Sequence, residues 1–411
     1  MNPLAPLIFF FGKGMLRHAV LLVGLSIISW YITIEGIGWG GYLLWISLIL
    51  LATIIIWRAG DFFSSAATYI QDKYEIPHSI KAAVIDAVAS SFPEFCVAVI
   101  AVIMIGRAEV GISSIVGSAL YNVLVIPAAS GLVAASPMII SREVVWRDNI
   151  FYFGVVLLLG VMLWQFPNEW GAGVALLFLL AYIGYVVLLH RDFKKSRNQE
   201  SNEIKAEKVE EDEEDLLELT SEKKAWLWIM LMMFVMGGAS HLLVESSLAL
   251  GDMLGIDGVI MGFVVIAAGT SVPDTALSII SAKKGHYDAA VSNVFGSNIF
   301  DICVCLSIPI LMALAMSGEP TKIDLPQTGL IWCLIGATLL AIYFFWSNNY
   351  TLTKVKASMM GILYLLIILV SFTFNTGTEA ATSEKLLSTF SLNNSNIDQR
   401  QNIFFYEIIQ S

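Results

Sequence analysis

Charged residues are scarce in this chain. Only 14% of its 411 residues are Asp, Glu, Lys or Arg, and 57% are hydrophobic. A soluble chain of this length needs far more polar surface, so a soluble globular protein is excluded. The sequence also lacks the alternation of polar and apolar residues that a lipid-facing barrel requires. Cysteine is sparse, and Cys96, Cys303, Cys305 and Cys333 show no pairing or metal-ligand spacing, which leaves them as packing thiols. No H-E-x-x-H or G-x-S-x-G motif occurs, and His18, His78, His190, His241 and His286 form no pair with the buried acids that spacing reveals. His241 and Glu245 share a helix face, where a structural hydrogen bond is the simpler reading and a proton-linked role the alternative. An enzyme is therefore not expected, and neither is a cofactor.

What the chain has instead is long apolar runs and a mean hydropathy of +0.75. Continuous runs of about 18 or more apolar residues span a bilayer as helices. Runs of this kind centre near Leu25, Leu50, Val88, Leu120, Leu157, Leu179, Val235, Val265, Leu306, Leu334 and Leu366. The first is not followed by an A-x-A-like cleavage site, which favours a retained span over a signal peptide. Lys13 and Arg17 flank it and place the N-terminus in the cytoplasm. With that orientation Lys73, Lys81, Arg142, Arg147, the Arg191–Lys195 cluster, Lys223, Lys224, Lys283, Lys284, Lys354 and Lys356 fall on the cytoplasmic side, and Arg107, Lys322, Lys385 and Arg400 outside. Trp30, Trp39, Trp164, Trp170, Trp226 and Trp346 lie near span ends, as an aromatic belt would.

The net charge of −11 comes mostly from one stretch, centred on Glu210-Glu211-Asp212-Glu213-Glu214-Asp215. It reads as a solvated linker between two halves. The expected organisation is an extra N-terminal helix (1–38), a first repeat (39–190), a cytoplasmic acidic linker (191–224), a second repeat (225–374) and a polar tail (375–411). The tail falls outside or in a lumen, and Asn393-Asn394-Ser395 within it is a sequon by pattern alone.

Two short stretches place a carboxylate inside an apolar run. Ser90-Ser91-Phe92-Pro93-Glu94 is one, and Thr270-Ser271-Val272-Pro273-Asp274 the other. Shifting the chain by about 180 residues superposes them and also aligns Gly117-Ser118-Ala119 with Gly296-Ser297-Asn298. Five spans separate the two copies, and an odd number inverts the second relative to the first. The fold class expected is thus an all-α polytopic membrane protein, with an inverted repeat of two five-helix units plus one N-terminal helix.

The residue types suit a cation. A carboxylate at bilayer depth costs roughly 2.5–3.5 kcal/mol on insertion scales and is functional by default. Pro93 and Pro273 withhold an N–H and should free carbonyls near Ala89 and Gly269. Ser90, Ser91 and Glu94 share one helix face, as do Thr270, Ser271 and Asp274. Ser118 and Asn122 are four apart, as are Ser297 and Asp301, with Asn298 alongside. Taken singly, a membrane Ser or Thr usually bonds its own backbone, and a Gly-Ser patch is often a close-packing surface. Together they offer oxygen only, which suits Ca²⁺, Na⁺, K⁺ or Mg²⁺, and a site pooled from four helices fits Ca²⁺ best.

At these residues the chain resembles the cation/Ca²⁺ exchanger superfamily, whose repeats carry G-[TS]-S-x-P-[DE] and G-S-N motifs. Gly269 to Asp274 with Gly296 to Asp301 is most similar to the potassium-dependent Na⁺/Ca²⁺ exchanger branch. The resemblance implies ten core helices, two of which slide against a fixed body of eight. It implies that Glu94 and Asp274 take Ca²⁺, with hydroxyls from Ser90, Ser91, Thr270 and Ser271 and carbonyls from Ala87 and Ala267. It implies that Ser118, Asn122, Ser297, Asn298 and Asp301 complete the Na⁺ and K⁺ positions, and that Asp301 confers potassium dependence. The first repeat departs from the pattern at Ala89 and Ala119. The function implied is Na⁺/Ca²⁺ antiport, with or without K⁺, in a plasma or inner membrane. Proton-coupled Ca²⁺ or Mg²⁺ exchange is the alternative, and a cation channel a third reading. The partners expected are the bilayer and the transported ions, with no nucleic acid and no obligate protein.

Overall fold

The structure is a computed structural model. It describes residues 5–34, 39–74, 87–200, 217, 219, 221–323, 325 and 329–372. The acidic centre of the linker and the tail, with its sequon, lie outside the described residues.

Each apolar run forms a helix. α1 (Ala5–Ile34) and α2 (Gly40–Lys73) precede α3 (Ala87–Val99), which continues as a wider π-type turn over Ile100–Ile105. α4 (Ala108–Val133), α5 (Arg142–Gln165), α6 (Ala172–Glu200) and α7 (Glu222–Leu254) follow. α8 (Gly258–Thr270) and α9 (Val272–Lys283) are an apolar pair bent by 46°. α10 (Tyr287–Ser317), α11 (Gly329–Tyr350) and α12 (Lys354–Phe372) complete the set. Among the described residues nine helices are long and apolar enough to cross a membrane, or ten if the bent pair counts as one span. The run centred on Val88 is represented by the shorter apolar helix Ser90–Ile105. The chain is a multi-pass membrane protein. By compactness it divides at Leu365: the first part contains everything described below, and in the second the described residues finish α12.

α2 and α7 pack antiparallel along their length. At one end the Tyr42 hydroxyl donates to the Met253 carbonyl (3.2 Å). At the other, Lys73 and Tyr74 both meet the Glu222 carboxylate. Leu217 belongs to the buried apolar cluster that α2 and α7 share, with Ala66, Ile70 and Ile229 among its members. α1 lies on α2 through a Ser26–Ser47 hydroxyl pair (2.7 Å). Its helix breaks at Gly12 (φ 70°, ψ 160°), and the Phe10 carbonyl exposed there accepts from Arg58 Nε (2.8 Å). Arg58 in turn pairs with Asp61 (2.5 Å), so neither charge meets lipid unpartnered.

α4 is the central helix, and almost all its side chains are buried. It crosses α8 at backbone contact. A Cβ built on Gly117 would stand 2.0 Å from the Phe263 carbonyl oxygen, and one on Gly262 would stand 2.4 Å from Ser113 Oγ. Glycine here permits a close approach that any side chain would block. Two-residue strands tie the loop ends. β1 (Met138–Ile139) pairs antiparallel with β4 (Thr351–Leu352), and β2 (Glu169–Trp170) with β3 (Thr321–Lys322). Lys356 Nζ closes the end of α11 by donating to the carbonyls of Phe344, Ser347 and Thr351.

Two expectations need correction. Trp170 does not belong to an interfacial belt. It is fully buried against Phe178, and its indole donates to the Phe166 carbonyl (3.0 Å), whereas Trp30, Trp39, Trp164, Trp226 and Trp346 are exposed. Two matching helix breaks were expected, but only one is present among the described residues. The chain bends at Ser271, just before Pro273, whereas α3 passes through Pro93 as a continuous helix from Ala87. A proline near a helix start sacrifices no hydrogen bond, which is the situation of Pro273 in α9.

Candidate cation site

The side chains singled out by the sequence come together from α3, α4, the α8–α9 bend and α10. Ser90, Ser91, Glu94, Ser118, Asn122, Thr270, Ser271, Asp274, Ser297, Asn298 and Asp301 are all buried, and the three acids are 0% exposed. The helix bend brings Ser271 against α4, where its hydroxyl pairs with that of Ser118 (2.8 Å). Ser118 also lies 3.4 Å from Glu94 Oε1. Asn122 Nδ2 donates to Asp274 Oδ2 (3.1 Å) and to Asn298 Oδ1 (3.0 Å). Asn298 Nδ2 then donates to the Ala119 carbonyl (3.2 Å).

The contacts occur in matched pairs across the two halves. Ser118 faces Glu94, and Ser297 faces Asp274. Thr270 faces Glu94, and Ser90 faces Asp274. Asn122, one turn after Ser118, bonds Asp274. Asp301, one turn after Ser297, lies near enough to Glu94 for their charges to repel. Where one half offers an amide to a carboxylate, the other therefore sets a second carboxylate.

Hydrogen bonds satisfy only part of this cluster. Glu94 Oε2, Asp274 Oδ1, Asp301 Oδ2 and Asn122 Oδ1 have no donor. A buried polar atom left without a partner costs roughly 2–7 kcal/mol. A buried acid elsewhere in the same chain shows the alternative. Asp148 accepts from Arg147 Nε (2.7 Å) and Nη2 (3.1 Å), from the Ser292 hydroxyl (2.9 Å) and from the Tyr185 hydroxyl (3.4 Å), so both its oxygens are used. The orphaned oxygens of the central cluster are free to meet a cation. No three His, Cys, Asp or Glu side chains converge on one point among the described residues. Any single ion there would draw on hydroxyl, amide and carbonyl oxygens beside one or two carboxylates, the donor set of a hard cation.

The backbone carbonyl implied as a ligand at Ala267 has other partners in this structure. The Ala267 carbonyl already accepts from Ser271 N (3.1 Å) and Thr270 Oγ1 (3.2 Å). Ala87 opens α3, and the segment preceding it, 75–86, lies outside the described residues. Two neighbours of the acids escaped the sequence reading. Asn293 on α10 reaches both Asp274 and Ser278. Cys305, taken for a packing thiol, lies 3.7 Å from Asp301 Oδ1. The signal was available in its spacing, because Cys305 stands four residues after Asp301. His241 Nε2 lies 3.5 Å from Glu245 Oε1, one turn on along α7, with both side chains substantially exposed.

Comparison with known proteins adds the following. The sequence model of a family described as "Sodium/calcium exchanger protein" matches residues 44–190 and 224–373. Human sodium/potassium/calcium exchanger 5 is 26% identical over 79% of this chain and 80% of its own length. The inner membrane protein YrbG of Escherichia coli is 27% identical over 65% of this chain and 79% of its own. Among solved structures, the H⁺/Ca²⁺ exchanger CAX superposes with a TM-score of 0.64 at 15% identity, covering 86% of this chain and 88% of that one. The sodium-calcium exchanger NCX_Mj does so with a TM-score of 0.53 at 19% identity, covering 80% and 98%. These structural likenesses concern the fold.

Proposed function

This chain belongs to the sodium/calcium exchanger protein family, a family of transporters, and from that premise we propose that it is a secondary antiporter exchanging Na⁺ for Ca²⁺ by alternating access, with K⁺ as a further ion. One observation carries the reading. Glu94 and Asp274 are wholly shielded from solvent, and each keeps an oxygen with no donor, inside a shell of hydroxyls and amides drawn from both halves.

In this reading Ca²⁺ occupies the position between Glu94 and Asp274. The hydroxyls of Ser90, Ser91, Thr270 and Ser271, the Asn122 carbonyl oxygen and the backbone fill the rest of its coordination. Two carboxylates can neutralise one Ca²⁺ or be shared by monovalent ions, so occupancy by the two kinds is exclusive. Ser118, Ser297, Asn298 and Asp301 serve the monovalent positions. A loaded site is less charged than an empty one and can pass through the closed arrangement. An empty site carries bare carboxylates whose desolvation opposes closure. That difference couples the ions, and the inward Na⁺ gradient drives Ca²⁺ out of the cytosol.

The paired contacts around Glu94 and Asp274 support an inverted repeat, 39–190 against 225–374, with 191–224 as cytoplasmic linker and α1 as an addition to the ten-helix core. The lysine and arginine bias supports a cytoplasmic N-terminus and an external or lumenal C-terminus. The test is radioactive Ca²⁺ flux in proteoliposomes under separately imposed Na⁺, K⁺ and pH gradients. Flux driven by the Na⁺ gradient is expected. Flux that follows pH and ignores Na⁺ would move the assignment to proton-coupled exchange.

Asp301→Asn is expected to weaken or abolish K⁺ dependence while leaving Na⁺-driven Ca²⁺ flux measurable. The substitution makes residue 301 the same type as Asn122, its counterpart, and so removes the extra charge that distinguishes the second half. Wild-type flux indifferent to K⁺ would overturn the potassium assignment.

A further inference from the structure

We propose that Cys305 is a positioning residue that sets the width and ion preference of the cation position at Asp301. The inference rests on the reading of Asp301 as a monovalent-ion ligand and goes beyond it.

Cys305 closes the π-type turn Asp301–Cys305 and is fully buried. Its sulfur lies 3.7 Å from Asp301 Oδ1, on its own helix, and 3.8 Å from the Ser91 carbonyl oxygen, on α3. The thiol therefore sits where α10 of one half meets α3 of the other. It has a single proton to donate, and a carboxylate is the stronger acceptor. Donation to Oδ1 fixes the Asp301 carboxylate and leaves Oδ2, which has no donor, to face an ion. Ser91, whose carbonyl meets the thiol, also turns its hydroxyl toward the Asp301 carboxylate from the opposite wall. The counterpart position, one turn after Asn122, is Ile126, a buried hydrocarbon that cannot donate. The thiol thus accompanies the acid in the half that has one. Sulfur is also bulky and polarisable, so it limits the gap without competing strongly for the ion.

The experiment titrates Na⁺ and K⁺ separately in reconstituted flux assays of wild type, Cys305→Ala, Cys305→Ser and Asp301→Asn. Losing one weak hydrogen bond should raise the half-saturating Na⁺ concentration about three- to tenfold in Cys305→Ala. The K⁺ value should rise less, because the widened position suits the larger ion. Maximal flux and the half-saturating Ca²⁺ concentration should stay near wild type. Cys305→Ser keeps a donor and should recover most of the Na⁺ affinity. Wild-type ion affinities in Cys305→Ala would overturn the proposal. So would a fall in maximal flux with no change in affinity, which is the signature of a purely structural role. Asp301→Asn separates the two levels. If it changes monovalent dependence while Cys305→Ala does not, only the role of Cys305 fails. If Asp301→Asn is itself silent, the reading beneath fails and takes this proposal with it.

Discussion

Glu94→Gln and Asp274→Asn are each expected to abolish Ca²⁺ flux in Na⁺-loaded vesicles while the protein still inserts and folds. Each substitution removes one of the two charges that face the divalent ion and replaces a free oxygen with an amide. Removing one member of a buried charge pair typically costs about 3–5 kcal/mol, or more than a hundredfold in affinity. In the closed site no water is available to compensate, since both carboxyls are 0% exposed. Stability should move the other way. With no ion bound, the wild type holds three mutually repelling carboxyls out of water. Neutralising one should therefore leave the ion-free melting temperature unchanged or higher, while abolishing the Ca²⁺-induced rise. Thermal melts with and without Ca²⁺ check both halves of this expectation. Full transport by either variant would remove the site assignment.

Gly117→Ala is expected to prevent assembly of a functional protein, whereas Gly296→Ala should be close to neutral. The two glycines open equivalent patches in the sequence, yet they meet different surroundings. A Cβ at 117 would lie 2.0 Å from the Phe263 carbonyl oxygen and within 2.8 Å of its Cα, and backbone cannot step aside as a side chain could. Overpacking of a tight core costs about 1–3 kcal/mol when side chains adjust, and more when they cannot. At 296 the nearest atom to a new Cβ is the Tyr185 hydroxyl at 3.8 Å, an ordinary contact. Size-exclusion profiles of the detergent-solubilised variants, followed by flux on whatever elutes correctly, distinguish the two. A Gly117→Ala protein that elutes and transports like wild type would mean that α4 and α8 do not approach as described.

The fold was legible because hydropathy is a strong signal over the length of a bilayer helix. Each of the eleven apolar maxima, from Leu25 to Leu366, falls within a helix, and the all-α polytopic class follows from them. The gathering of the acids and hydroxyls was legible because polar side chains are conspicuous in apolar runs and recur at helical spacing. Other features depend on tertiary context that spacing does not encode. Proline at 93 and at 273 looks alike in sequence. Yet the chain passes through Pro93 as a continuous helix and bends before Pro273, which stands in the first turn of the helix that follows. Trp170 carries the same interfacial propensity as Trp164, but a two-strand tie at Thr321–Lys322 folds it inward. The Ala267 carbonyl was expected to face an ion, but the Thr270 hydroxyl and the Ser271 amide reach it first. Cys305 was overlooked because a lone thiol in an apolar helix normally packs, and only the distance to Asp301 distinguishes it.

The most direct test of the account is equilibrium binding of radioactive Ca²⁺ to the purified protein, titrated against Na⁺, in wild type and in Glu94→Gln. The account predicts saturable binding that Na⁺ displaces completely and that the variant lacks. Ca²⁺ binding that survives in Glu94→Gln, or that Na⁺ cannot displace, would contradict it.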